Sequence, residues 1–266
     1  MRQLALAFAD AGVVAKRNLI KIKRVPEVLI WTTMSPIMFV LLFAYVFGGS
    51  IEISGVSYRE FLIAGVFAQT VIFGSTFTGA GLAEDMTKGI IDRFRSLPMA
   101  RWAVLAGRTA SDIVYNSTSI LVMSIAGLIV GWRIRTSPMK AVGGFLLLLL
   151  FAYAVSWIMA FVGLKVGSLE VFQNASFMFI MPMTFIANTF VDSDRLPGPL
   201  RVFAEWNPVS AVAQGVRELF GNLPAGPPPD AWSLRHPVLY TLIWVGVILA
   251  VFIPLSVRQY KKSATR

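Results

Sequence analysis

The chain has no cysteine, which excludes disulfides and thiolate metal sites and leaves its redox setting unreadable. Its single histidine, His236, stands beside Pro237, and no H-E-x-x-H or Cys/His cluster exists to hold a catalytic metal. The phosphate-cradling G-x-x-x-x-G-K-[ST] is missing, so nothing in the chain can hold ATP phosphates in that way. A G-x-S-x-G nucleophile elbow is missing too. Charge itself is scarce. Only 14% of the 266 residues are Asp, Glu, Lys or Arg, against about a quarter in a soluble domain.

What is present is apolar: 56% of residues are hydrophobic. Lys and Arg number 24 against 14 Asp and Glu, a net charge of +10. A basic chain can be a nucleic-acid binder, but this apolar excess makes it a membrane protein first. Six stretches lack any charged residue and reach the ~20 residues that a spanning helix requires. They are 28–51, 61–83, 113–132, 141–164, 171–191 and 237–257. Lipid offers no hydrogen bonds to a backbone, so the spans are helices. The expected fold is an all-α integral membrane protein with six spans filling 27–257 and a tail over 258–266. No ionisable residue is expected within the spans, which argues against coupling through buried charges.

An even count places both termini on one side. Of the Lys and Arg residues, only Arg59, Arg133, Arg135, Lys140, Arg195, Arg201, Arg217 and Arg235 fall on the opposite side. The positive-inside rule therefore predicts cytoplasmic termini. The Arg133–Lys140 cluster departs from the bias.

Residues 1–26 place Leu4, Phe8, Ala11, Ala15, Leu19 and Ile22 at helical spacing, with Lys16, Arg17, Lys21, Lys23 and Arg24 behind them. This reads as an amphipathic interface helix on an anionic leaflet, or more simply as a basic topology-setting tail. The segment "LAEDMTKGIIDRFRSLP" reads as a short helix from about 84 to 96, striped by Met86, Ile90, Phe94 and Leu97. Its acids, Glu84 and Asp85, stand at the N-terminal end and Arg93 and Arg95 at the C-terminal end, as the helix dipole favours. The alternative is a solvated loop.

The stretch 190–236, on the outer side, holds further helix signals: Pro197 and Pro199 in a first turn, and Asn207 as an N-cap before Pro208. "PVSAVAQGVRELF" is too short to span and carries Arg217 and Glu218, so it lies at the interface or dips in and returns. It reads as a lid or gate. The second and fifth spans carry uncharged polar groups amid Phe and Met. Gln69, Phe73, Thr76, Phe77, Asn174, Met178, Met181 and Asn188 are candidates for a substrate path; helix-to-helix glue is the competing reading.

"GIIDRFRSLPMARWAVLAGRTASD" resembles the corresponding loop of type-2 ABC exporter permeases of the daunorubicin-resistance branch, and "NTFVDSDRLPGPLRVFAEWNPVSAVAQGVREL" resembles their outer re-entrant segment. The resemblance covers nearly the whole chain. It implies that 1–26 is the elbow helix and 84–97 the cytoplasmic coupling helix. Glu84, Asp85, Lys88, Asp92, Arg93 and Arg95 would then face the ATPase. It implies an outer gate of short re-entrant helices around Pro197, Glu205, Asn207 and Pro208. It implies two ABC ATPase subunits that bind ATP and magnesium, with no cofactor in this chain. A second permease copy or sister permease would complete the pore in a bacterial cytoplasmic (inner) membrane. The implied activity is export of amphiphilic drugs, lipids or glycolipids, with no covalent chemistry here. The competing classes are an ATP-independent channel or scaffold and a membrane-embedded lipid-modifying enzyme.

Overall fold

The computed structural model describes residues 12–14, 20, 34, 36–47, 53–91, 101–190, 192–226 and 229–262. The interface helix expected over 1–26 lies almost wholly outside these residues, as do Asp92, Arg93 and Arg95. Every element described is helical. In chain order they are α1 (Pro36–Val46), α2 (Tyr58–Thr87), α3 (Arg101–Val130), α4 (Pro138–Lys165) and α5 (Leu169–Phe185). Beyond these come α6 (Gly198–Trp206), α7 (Pro208–Phe220), α8 (Trp232–Arg235) and α9 (Pro237–Lys262).

Four described helices are long and apolar enough to cross a membrane: α2, the Val104–Val130 part of α3, α4 and α9. The span expected at 28–51 is described only through α1, whose end winds into a wider π turn over Leu42–Phe47. The span expected at 171–191 is a shorter helix. α5 has 17 residues, carries Pro182 inside and ends at Phe185. Residues 186–190 continue as turns.

α2 is the hub: 83% of its most apolar stretch is buried inside the protein, against 17% for α9. Glycines let its neighbours approach. A Cβ on Gly163 of α4 would run into the backbone of Gly79, and one on Gly79 would meet the Met159 carbonyl and the Phe172 ring. Phe67, Trp132, Phe145 and Phe220 form a ring cluster near the end of α7, with centroids 4.9 to 5.3 Å apart from Trp132 to Phe220 and from Phe220 to Phe145. A second, smaller core at the opposite end of α2 joins Leu82, Ile91, Leu105, Trp157 and Tyr260.

α7 is packed into the helix bundle: ten of its 13 residues are buried, against α2, α4 and α9. Asn207 caps it as expected, its Oδ1 accepting from Val209 N at 2.9 Å. The far end is stapled to the loop after α3. Trp132 Nε1 donates to Asn222 Oδ1 at 2.8 Å, and Asn222 Nδ2 donates to the Arg133 carbonyl at 3.0 Å.

Candidate functional site

The C-terminal end of α2 departs from the sequence reading. No new helix begins at Glu84. α2 runs through to Thr87, Lys88 closes it, and Gly89 turns the chain with φ +64 before helix resumes at Ile90. That left-handed turn costs a residue with a Cβ about 1–2 kcal/mol, which is why glycine stands there. Glu84 and Asp85 therefore occupy the last turn of a spanning helix, where the dipole opposes acids. Each is answered by a cation. Lys88 Nζ bonds Glu84 Oε1 at 2.6 Å, and this hydrogen bond holds the Lys88 pKa above the usual lysine range. Asp85 pairs with Arg108 of α3. Gly81 makes that pair possible, because a Cβ there would overlap the guanidinium as it crosses α2. The expected apolar stripe is partly covered from within: Met86 packs against the smaller core, and neighbouring Ile91 is buried in it.

The helix holding the expected span 113–132 is longer: α3 starts at Arg101 and carries Arg108 and Asp112 toward the protein interior. Asp112 is 5% exposed. Its Oδ2 accepts from the Thr78 hydroxyl of α2 and, at 2.8 Å, from the Ser156 hydroxyl of α4. The charge is buried but hydrogen-bonded by two other helices, as burial of a carboxyl requires. In the sequence Asp112 stands at the edge of an uncharged run, where an acid looks like a span boundary.

A cavity of about 410 Å³ opens between α1, α2, α3 and α5. Its wall holds Gln69, Phe73, Thr76, Phe77 and Met181, five of the eight path candidates, with Pro36, Phe39, Thr70, Gly74, Tyr115, Ser119 and Phe177 added. Among the described residues, no ionisable acid or base except the Tyr115 phenol lines it. Phe77 and Tyr115 rings lie 4.5 Å apart. The Thr70 and Thr76 hydroxyls donate back to the Val66 and Phe73 carbonyls at 2.8 and 2.7 Å, so the wall is less polar than its composition suggests. Asn174 and Met178 are exposed on the other faces of α5, and Met178 is 77% exposed. Asn188 is buried away from the cavity, under α7. Contributions from α1 and α3 were invisible to a reading that weighed polar content, because Phe39 and Tyr115 sit among ordinary span residues.

Around α6, Glu205 pairs with Arg201 at 2.7 Å, and Arg201 also meets Asp194 at 2.9 Å. The Glu205 carbonyl accepts from Ser233 Oγ. Pro197 precedes α6 and Pro208 opens α7. Asn207 also donates to the Met183 carbonyl at 2.7 Å, fastening α7 to α5. Arg217, expected at a polar interface, is instead wholly buried. It donates to the carbonyls of Phe61 (3.1 Å), Asn188 (2.7 Å) and Thr189 (3.1 Å) and lies 3.5 Å above the Phe61 ring. His236 stacks near Trp232, with centroids 5.5 Å apart.

The sequence profile described as "ABC-2 type transporter" matches residues 10–220. The chain belongs to the ABC-2 type transporter family. It is similar to the daunorubicin resistance ABC transporter permease protein DrrB1 of Streptomyces coeruleorubidus. The two are 33% identical over 245 residues, covering 92% of this chain and 83% of that protein. It is also 23% identical, over 73% of its length and 67% of the other's, to the probable doxorubicin resistance ABC transporter permease protein DrrC of Mycobacterium tuberculosis. A putative transport permease, ycf38 of Cyanophora paradoxa, is 22% identical over 79% of this chain and 73% of its own. The ABC-2 permease thus takes its place as a multi-pass membrane subunit of an ABC transporter that works with ABC ATPase subunits.

Proposed function

We propose that this ABC-2 permease is half of the pore of an ATP-driven exporter that moves amphiphilic molecules outward across a bacterial cytoplasmic membrane. The observation that carries the reading is the cavity among α1, α2, α3 and α5, aromatic-walled and free of Asp, Glu, Lys and Arg. Such a wall suits a bulky apolar body, and the drug-resistance names of two relatives support drugs over lipids or glycolipids. The driving force comes from two separate ATPase subunits, which bind ATP and magnesium and dock on the 84–97 segment. Glu84, Asp85, Lys88, Asp92, Arg93 and Arg95 are its gripping candidates. A second copy or a sister permease supplies the other half of the pore. Both termini are cytoplasmic, and Pro197, Glu205, Asn207 and Pro208 belong to the outer gate.

Co-purification tests the reading. Tagged permease should bring down an ATPase, and the double change Asp92→Lys plus Arg95→Glu should abolish that capture and transport together. Reproducible purification without an ATPase, with transport intact in the double variant, would leave an ATP-independent channel or scaffold as the better account. For the cavity, Phe73→Ala plus Phe77→Ala should raise cellular accumulation of daunorubicin at least several-fold over wild type. Unchanged accumulation would move the path elsewhere.

A further inference from the structure

α5 is held to the protein by one ridge. Only Phe172, Ser176, Ile180 and Thr184 are buried, a single row at i, i+4, i+8 and i+12. Along its other faces Val171, Phe177, Met178 and Phe179 are more than half exposed. A helix with so narrow an apolar contact has little packing to lose when it swings. It also supplies Phe177 and Met181 to the cavity wall, so moving it opens the cavity.

Its outer end is fastened by polar contacts, most of them from α7 and its cap. Asn207 Nδ2 reaches the Met183 carbonyl, Ser210 Oγ accepts from Asn188 N at 3.0 Å, and Arg217 takes the carbonyls of Asn188 and Thr189. Arg217 forms no ion pair among the described residues. A fully buried guanidinium whose charge is answered by three carbonyls, one ring and the Asp192 carboxylate beyond ion-pair distance is costly to keep unless it fixes something. In the joint, Arg217 Nη1, Asn188 Oδ1 and Thr189 Oγ1 are buried without a partner among the described residues. Unpaired polar atoms inside a protein are costly, and water would satisfy them once the joint parts.

We infer that Arg217 is the clasp of the outer exit: it holds the outer end of α5 against α7 and α2, and its release lets α5 swing outward and opens the cavity to the far side. The unpaired groups set the clasp close to its opening point, because parting exchanges buried unpaired atoms for hydrated ones. This inference rests on the reading of the α6–α7 segment as the outer gate.

The absence of cysteine makes the test clean. Thr189→Cys places a thiol in the joint, and Ala160→Cys places one in a fully buried position of α4 at the smaller core. Each is introduced into the full chain, reconstituted in lipid nanodiscs without nucleotide, and exposed to a small water-soluble maleimide. Replacing Arg217→Met should speed labelling at 189 by about tenfold or more while 160 stays protected. Arg217→Lys, whose single ammonium cannot span carbonyls on two elements, should give an intermediate rate. Equal rates at 189 for arginine, lysine and methionine would overturn the clasp. So would loss of protection at 160 together with 189, which would make Arg217 a pin of the entire fold. No ATPase takes part, so this result is independent of the co-purification that tests the exporter reading.

Discussion

Asp112 and Arg217 show how single charges are tolerated in an apolar protein: each is surrounded by groups that reach it from other helices. For Asp112 these are Thr78 and Ser156, both fully buried. Replacing Asp112→Leu strands two hydroxyl donors at about 1–3 kcal/mol each. The apparent melting temperature in detergent should fall clearly, and less for Asp112→Asn, whose amide oxygen still accepts. A leucine variant as stable as wild type would mean that the network contributes nothing. Neither residue could be assigned a place from the sequence. A carboxylate next to an apolar run looks like a span boundary, and an arginine beside a glutamate looks like a polar face. The neighbours that reverse both readings lie 28 to 156 positions away in the chain.

At the scale of elements, local signals were legible wherever chemistry was local. Asn207 capping α7, Pro208 at its start and the apolar length of α4 all follow from adjacent residues. The C-terminal end of α2 was misread because acids before a basic cluster suggest a helix start, whereas Arg108 from another helix lets them finish one. Asn207 does two jobs, and truncating it tests both. Asn207→Ala removes a cap worth about 1 kcal/mol and the bond to the Met183 carbonyl. Amide hydrogen exchange over 183–190 and over the first turn of α7 should therefore speed up together. Acceleration confined to α7 would show that the α5 tether carries no weight.

For the whole molecule, topology is the quantity that charge counting predicts and burial leaves untouched. In intact cells a thiol at Asp230→Cys, where the native residue is 89% exposed, should react with an impermeant maleimide. One at Lys88→Cys, 60% exposed, should react only after permeabilisation. The reverse pattern would turn the protein over and place the 84–97 segment outside, out of reach of any ATPase. The cavity was half legible at this scale. α2 advertises itself through Gln69, Phe73, Thr76 and Phe77, but the opposite wall is assembled from Phe39 and Tyr115, which only three-dimensional proximity connects.

The shortness of α5 reaches beyond the protein. Seventeen residues rise about 25 Å at 1.5 Å each, several ångströms less than the ~30 Å hydrocarbon slab. If α5 is the fifth span, a bilayer answers that mismatch by thinning, by snorkelling of flanking side chains or by oligomerisation. Thinning beside α5 would shorten the oil layer that an amphiphile crosses on the proposed export route.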